Sequence, residues 1–433
     1  MQTIEIRNIG PLVETGTIPV SQVMLLIGEQ STGKSTFMKI LCFCCWLEKQ
    51  IMINSNEDVV SKYTHYYRFW NELKKFHHLN DDFISDSSYI KYDGLSVLIE
   101  MHGKRRNARI IKKPNFTDIK HNLKICFLPS ERNILSSIQN IETLYRSKDV
   151  DVLFNYILEW GEARSQFNVT HPLDLVFANN MKYHYDTKNG DVITLADGHS
   201  KIKPYYASSG VQSALPVQVL ATFLANEVGT SAKISPLEYL KQIDFTDSKI
   251  DDKTLFTVIK EMLRNGGGTS LNKLTDIYPS LSKVFKDLQN RSSYRSFHLF
   301  IEELEQNLFP KAQFELVKML VKLLKQMELK AADYKSTIFL TTHSPYVLTA
   351  LNVMMLASLA YEKSHERVKT LGLEDYVLPK GAYSAYRIEN GYFENLIDEE
   401  YNFIKGDFLD SVSELVDKYT FELNSIIYDD TEE

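Results

Sequence analysis

The chain has 433 residues, 44% of them hydrophobic and 24% charged, with a formal net charge of −7. This supplies a packed core for one large unit or two to three smaller ones. The acidic balance excludes a global positive field that recruits nucleic acid. No basic segment followed by an apolar stretch opens the chain, and no apolar run approaches the roughly 18 residues of a membrane span, so no signal peptide, no membrane partner and a cytoplasmic location are expected.

Residues 2–27 alternate in polarity and break at Gly10-Pro11 and Gly16, which predicts three short strands. The apolar run Val23-Met24-Leu25-Leu26-Ile27 leads into Gly28-Glu29-Gln30-Ser31-Thr32-Gly33-Lys34-Ser35-Thr36, and residues 35–50 read as a helix. Strand, glycine loop and helix in this order is the context in which G-x-x-x-x-G-K-[ST] cradles phosphate. Gly28 and Gly33 let the backbone turn so that several N–H groups face one anion, and the helix N-terminus adds partial positive charge. Gly28, Gln30, Ser31, Thr32, Gly33, Lys34, Ser35 and Thr36 are therefore candidate nucleotide-binding positions. Lys34 reaches the β- and γ-phosphates, and the Ser35 hydroxyl is a ligand for Mg²⁺.

Cys42, Cys44 and Cys45 fall within this first helix, among Leu41, Phe43 and Trp46 and with no histidine nearby, and read as buried small apolar side chains in a reducing compartment. Residues 51–88, rich in aromatics between Tyr63 and Trp70, read as helical. Ser96–Glu100 and the basic stretch Lys104–Lys113 read as strands. That stretch is a candidate nucleic-acid contact or a charged strand edge. Leu123–Leu128 is a buried strand ending at Pro129, and residues 133–170 are expected to be helical. Turn signals at Lys188-Asn189-Gly190 and Asp197-Gly198 predict a β-meander from Tyr183 to Ile202. Residues 213–265 read as mostly helical, and Ser209 and Gly210 just before them offer a second anion-binding surface or a plain cap.

Leu299-Phe300-Ile301 is a short apolar strand that delivers Glu302 and Glu303. One carboxylate at such a strand end can serve the shell of a metal ion while the next orients and deprotonates water, or the two form a solvated acidic pair at the strand end. Leu316, Met319, Leu320, Leu323, Leu324 and Met327 give residues 312–330 a helical period. Thr337–Leu340 is another buried strand, and it places His343, within Thr341-Thr342-His343-Ser344-Pro345, where open α/β sheets bind ligands; Ser344-Pro345 also reads as a capped turn that starts a helix.

These motifs, in this order, resemble an ABC-type ATPase head, and more closely the AAA-15/AAA-21 (OLD-like) group of ABC-like ATPases found in bacterial anti-phage systems. The resemblance implies an α/β fold, a mixed sheet flanked by helices and carrying helical insertions. The nucleotide-binding head would comprise 1–50, 90–225 and 296–395, with a first insertion at 51–89, a helical insertion at 226–295 and a tail at 396–433. Gly28–Thr36 is then the Walker A loop, Phe300–Glu303 Walker B, and Ser208-Ser209-Gly210-Val211-Gln212 the signature motif. Glu303 is the implied catalytic base, Glu302 with Ser35 the metal ligands, His343 the switch histidine, and ATP with Mg²⁺ the cofactors. Leu128-Pro129-Ser130-Glu131-Arg132 resembles the group's P-[AS]-E-R segment, and Ile301–Pro310 its I-[DE]-E-P-E-x-x-L-x-P stretch. No glutamine stands after the 123–128 strand in the Q-loop position, so Glu131 or Arg132 is expected to take part of that role.

The group's chemistry implies a homodimer or higher homo-oligomer in which Ser209 and Gly210 complete the partner's phosphate site. It also implies a separate nuclease or toxin-like effector, because the chain has no room after residue 395 for a Toprim-type nuclease. A RecF/SMC-like DNA-repair ATPase is the alternative. The absence of sustained heptads argues against the coiled-coil members of that class.

Overall fold

The computed structural model describes residues 2–54, 57–65, 68–103, 106–114, 116, 122–138, 141, 151–229, 294–330, 334–398, 400–406, 418–421 and 423. Most of the expected 226–295 insertion, and most of the tail beyond 406, lie outside the described residues.

Strands β1 (Thr3–Ile9), β2 (Leu12–Glu14) and β3 (Ile18–Pro19) precede β4 (Val23–Ile27), the glycine loop and helix α1 (Lys34–Asn54). Helices α2 (Glu57–Thr64) and α3 (Arg68–His77) follow, then β5 (Ile84–Asp93), β6 (Val97–His102) and β7 (Ala108–Lys112). The helix expected over 51–88 ends early, because Ile84–Ser88 already belong to β5. Ile90 and Tyr92 of that strand are buried and fix its pairing with β1, whereas the serine-rich start gives no period of its own. Next come β8 (Leu123–Leu128), α4 (Ile134–Ser137) and α5 (Val152–Arg164), two separate pieces where one helical region was expected.

The predicted meander is a four-stranded sheet of β9 (Leu173–Asp174), β10 (Lys182–Asp186), β11 (Gly190–Thr194) and β12 (Lys201–Ile202). Helix α6 spans Ser209–Glu227, so Ser209 and Gly210 form its first turn. The remaining elements of the large sheet and its helices are β13 (Ser296–Ile301), α7 (Pro310–Lys330), β14 (Thr337–Thr342), α8 (Pro345–Lys363), β15 (Tyr383–Glu389) and β16 (Tyr392–Asn395).

One 12-stranded sheet organises the chain, in the order β7-β6-β5-β1-β2-β16-β15-β4-β14-β13-β8, with β3 paired to β1. Neighbours from β15 through β4, β14 and β13 to β8 are all parallel, while β1, β5, β6 and β7 form an antiparallel limb. The parallel strands are buried on both faces, which is why each reads as an unbroken apolar run. Val23, Leu25 and Ile27 of β4 join a core with Leu299, Ile301, Leu340 and the helices α5 to α8. Met24 and Leu26 point the other way, into a second core with α1 and the antiparallel limb. Phe300 and Phe339 stack at 4.2 Å on that second side and hold β13 against β14. This is the mixed α/β architecture, sheet and flanking helices, expected of an ABC-type head.

Candidate active site

Four motif segments leave the C-terminal ends of parallel strands, and the strand order sets their order in space. β4 delivers the glycine loop, β14 delivers His343, β13 delivers Glu302 and Glu303, and β8 delivers Pro129–Arg132. Because the strands run parallel, all four segments emerge along one edge of the sheet, where α/β folds bind ligands. The strand before His343 lies between the P-loop strand and the strand carrying the two carboxylates.

The loop geometry requires its glycines. Gly28 has φ 151° and Gly33 φ 108°, in the region that disfavours any side chain. A Cβ on Gly28 would lie 2.6 Å from the Ile388 carbonyl oxygen, and one on Gly33 would lie 2.5 Å from a Leu12 methyl. Ser31 also takes a positive φ, 63°, and the Thr32 hydroxyl closes the turn on the Glu29 carbonyl at 2.9 Å. Gln30 and Ser31 are exposed, whereas Gly33, Lys34 and Thr36 are buried. The Lys34 ammonium folds back over the loop and donates to the Gly28 and Glu29 carbonyls at 2.8 and 2.5 Å. Burial pushes its pKa down to about 8, against the opposing pull of Glu303, Glu305 and Glu29.

Glu302 is 3% exposed. Its Oε2 accepts the Ser130 N–H at 3.2 Å, and its buried Oε1 has no hydrogen-bond partner. Burial raises the pKa of this carboxyl above the ordinary glutamate value, while the Lys39 charge, the Ser35 hydroxyl and the Ser130 N–H ease the ionised form. A buried, half-satisfied carboxylate near a serine hydroxyl is a donor set that suits a Mg²⁺ ion, which takes one or two protein oxygens and fills its shell with water and phosphate.

Glu303 adopts φ 47°, a left-handed conformation for a non-glycine residue. Three contacts hold it there. Its N–H donates to the Thr341 hydroxyl at 2.9 Å, its carbonyl accepts from Arg132 at 2.6 Å, and the next turn closes when Gln306 N–H donates back to the same carbonyl at 3.0 Å. Glu305 then clamps the histidine segment: one carboxylate oxygen accepts the Thr342 hydroxyl and the other the His343 N–H, both at 2.7 Å. Ser344 caps α8 by accepting Tyr346 N–H at 3.2 Å, and its hydroxyl donates to Gln313 of α7 at 2.6 Å.

Arg132 occupies a different place from the one the sequence suggests. Its side chain is fully buried and faces backbone rather than the nucleotide edge. It donates to the carbonyls of Glu302 and Glu303 at 2.5 and 2.6 Å and to that of Ser213 at 3.0 Å, and Tyr156 donates to the Arg132 carbonyl at 2.9 Å. Burial lowers its pKa below the usual guanidinium value, opposed by Tyr156, Glu305, Glu303 and Glu302. The residue ties the carboxylate turn to the first turn of α6. Glu131 lines an open cleft of about 550 Å³ together with Ser130, Asn133, Ser137, Glu303 and Gln306.

The signature segment lies beside the carboxylate turn of its own chain. Gly210 packs so closely that a Cβ would lie 2.7 Å from the Asn307 carbonyl oxygen, and the Asn307 amide donates to the Ser213 hydroxyl at 3.1 Å. Gln212 donates to the Pro204 and Tyr205 carbonyls, both at 3.1 Å. Ser208 gives α6 no side-chain cap, and Ser208 and Ser209 are exposed. Within one chain, therefore, the glycine loop, the Glu302-Glu303 turn and His343 share an edge, while Gly210 contacts Asn307 and Leu308 rather than the glycine loop.

Sequence reasoning gave no role to Glu305, Gln306, Asn307 or Thr341. Glu305 and Asn307 lay inside a quoted stretch, but their partners come from β14 and α6, and only the folded sheet reveals those pairings.

The basic stretch forms the outer edge of the sheet as β7. Arg109 pairs with Glu100 at 3.3 Å, and Lys113 pairs with Asp93 at 2.5 Å. Lys104 and Arg105 lie outside the described residues. The four cysteines are buried and unpaired in disulfides. Among the described residues no cluster of three or more His, Cys, Asp and Glu side chains forms a metal site, and no helix is long and apolar enough to cross a membrane.

No known family matches the chain by sequence, and no curated protein does. Several solved structures share a distant likeness over most of its length. An SMC head bound to the C-terminal winged-helix domain of ScpA is 9% identical, covering 91% of this chain and 95% of that one, at a TM-score of 0.36. The SMC head domain from Thermotoga maritima is 9% identical over 91% and 97% of the two chains, at 0.33. The recombination mediator protein RecF-ATPrS of the RecFOR pathway is 12% identical over 91% and 97%, at 0.31. At such scores the architecture rests on the strand order and loop geometry described above.

Proposed function

We propose that this chain is an ABC-like ATPase that closes head to tail on a second copy around ATP and controls a separate effector protein in anti-phage defence. The observation that carries the catalytic part is the convergence of the glycine loop, Glu302, Glu303 and His343 on one edge of the parallel sheet.

In this reading the loop N–H groups and Lys34 bind the phosphates of ATP. Lys34 exchanges the Gly28 and Glu29 carbonyls for phosphate oxygens. Ser35 and Glu302 would hold Mg²⁺, which would supply neutralisation of phosphate charge. Glu303, fixed by Thr341 and Arg132, accepts a proton from the attacking water. His343, whose backbone is held by Glu305, is the residue that would contact the γ-phosphate in this reading. The uncapped start of α6, with Ser209 exposed, supplies N–H donors to the nucleotide of the partner copy. The motif set, including Leu128–Arg132, supports the OLD-like assignment and hence the nuclease or toxin-like effector.

A RecF/SMC-like DNA-binding role is the second reading, and the basic β7 edge is the feature that favours it. Pairing of Arg109 and Lys113 with carboxylates leaves less free charge there for phosphates.

The test is Glu303→Gln protein purified from its native host beside wild type. Turnover is expected to fall at least about 100-fold, with nucleotide affinity kept and an ATP-dependent dimer accumulating. Unchanged turnover refutes Glu303 as the base. A stoichiometric effector in the preparation supports the defence reading, and a particle carrying only DNA supports the second.

A further inference from the structure

The cleft beside Glu303 contains a residue that the catalytic scheme does not yet use. Gln306 lines it together with Ser130 and Glu131, three positions after Glu303 in the same turn. Its Oε1 is buried and makes no hydrogen bond. A buried amide oxygen without a partner is unfavourable, and such a group in a native site calls for the partner that satisfies it.

The position matters because the segment after β8 supplies no glutamine. There Arg132 is committed to three carbonyls, and Glu131 is an acid whose neighbour is the Ser130 hydroxyl at 3.2 Å. A second carboxylate beside Glu303 is poorly suited to orient water, because it competes for the same proton. A neutral amide both donates and accepts, and its terminal torsion rotates easily, so either amide atom can be turned to the cleft.

We propose that Gln306 holds the attacking water for Glu303, doing from the carboxylate turn what a glutamine after β8 would otherwise do. The inference rests on the ATPase reading above. In the step it serves, the water oxygen bonds to the γ-phosphorus and a water proton passes to Glu303. The bond from that phosphorus to the bridging oxygen breaks, and its electron pair stays on the leaving ADP. Gln306 accepts the water's other hydrogen and gains the partner its oxygen lacks.

The experiment compares wild type, Gln306→Leu, Glu303→Gln and the double variant, using Mg-ATP for turnover and a fluorescent ATP analogue for affinity. Gln306→Leu is expected to lower kcat 10- to 100-fold, with KM, analogue Kd and melting temperature near wild type. In the Glu303→Gln background the same change is expected to cost less than twofold, because both residues act on one water. Should leucine unfold the turn, Gln306→Ala takes its place under the same criteria. A kcat within twofold of wild type overturns the assignment, as does a full additional loss in the double variant. Wild-type protein without turnover overturns the ATPase reading and this inference together, whereas turnover that survives the Gln306 change overturns the inference alone.

Discussion

Lys34 shows how the site opposes its own stability. Its ammonium is buried in the loop, and its pKa falls from the model-peptide value to about 8. The unfolded chain therefore binds the extra proton up to about pH 10.4, the folded chain only to about 8. Burial penalises folding fully below about pH 8, and the penalty fades as pH rises from there toward 10.4, since stability rises wherever the unfolded state binds more protons. Compared with Lys34→Met, wild type should gain stability across this window, on the order of 2 kcal/mol. Denaturant melts of both proteins at pH 7, 8, 9 and 10 check it, and parallel stability curves would contradict the burial described here. Glu303 carries a similar burden in its left-handed φ, which persists because Thr341 and Arg132 hold both of its backbone polar groups.

At the scale of elements, the contact between α6 and the carboxylate turn is the joint of the molecule. Gly210, in the first turn of α6, would by propensity alone welcome alanine, a gain of up to about 1 kcal/mol. The Asn307 carbonyl 2.7 Å from the added Cβ reverses that expectation, because backbone rather than a flexible side chain must move. Gly210→Ala should destabilise by about 1–3 kcal/mol and slow turnover by shifting Glu303. A raised denaturation midpoint with unchanged turnover would show that the joint is looser than described.

The sequence was most legible where a single strand and its following loop carry the signal. Val23–Ile27 with its glycine loop, Leu299–Glu303 and Thr337–His343 each announce themselves locally. What stayed hidden depends on long-range pairing. Glu131 or Arg132 was expected to take part of a missing glutamine's role, and the partners of Arg132 are backbone carbonyls of the carboxylate turn and α6. Glu305 needed β14 beside it before its two oxygens had anything to hold. Ile84–Ser88 looked helical because strand identity there comes from β1, not from its own residues.

Over the whole molecule, the antiparallel limb ends at β7, an open strand edge. Arg109 and Lys112 are exposed along it and protect it from edge-to-edge pairing. Replacing both by valine should promote concentration-dependent association, seen by light scattering, with ATP turnover per monomer unchanged. A variant that stays monodisperse but loses nucleic-acid binding would instead assign those charges to a ligand.

The position of β4 has a consequence for how the protein comes into being. The strand that launches the phosphate loop is made early, yet its two neighbours are β14 and β15, so Val23 awaits both Ile338 and Tyr383. Gly28 further rests against the Ile388 carbonyl. A ribosome working at roughly 5–20 residues per second therefore exposes the loop long before the residues that shape it leave the exit tunnel. On the proposed reading, the glycine loop is expected to take its binding shape only once synthesis has passed β15, and a chain truncated before β15 is expected not to bind ATP.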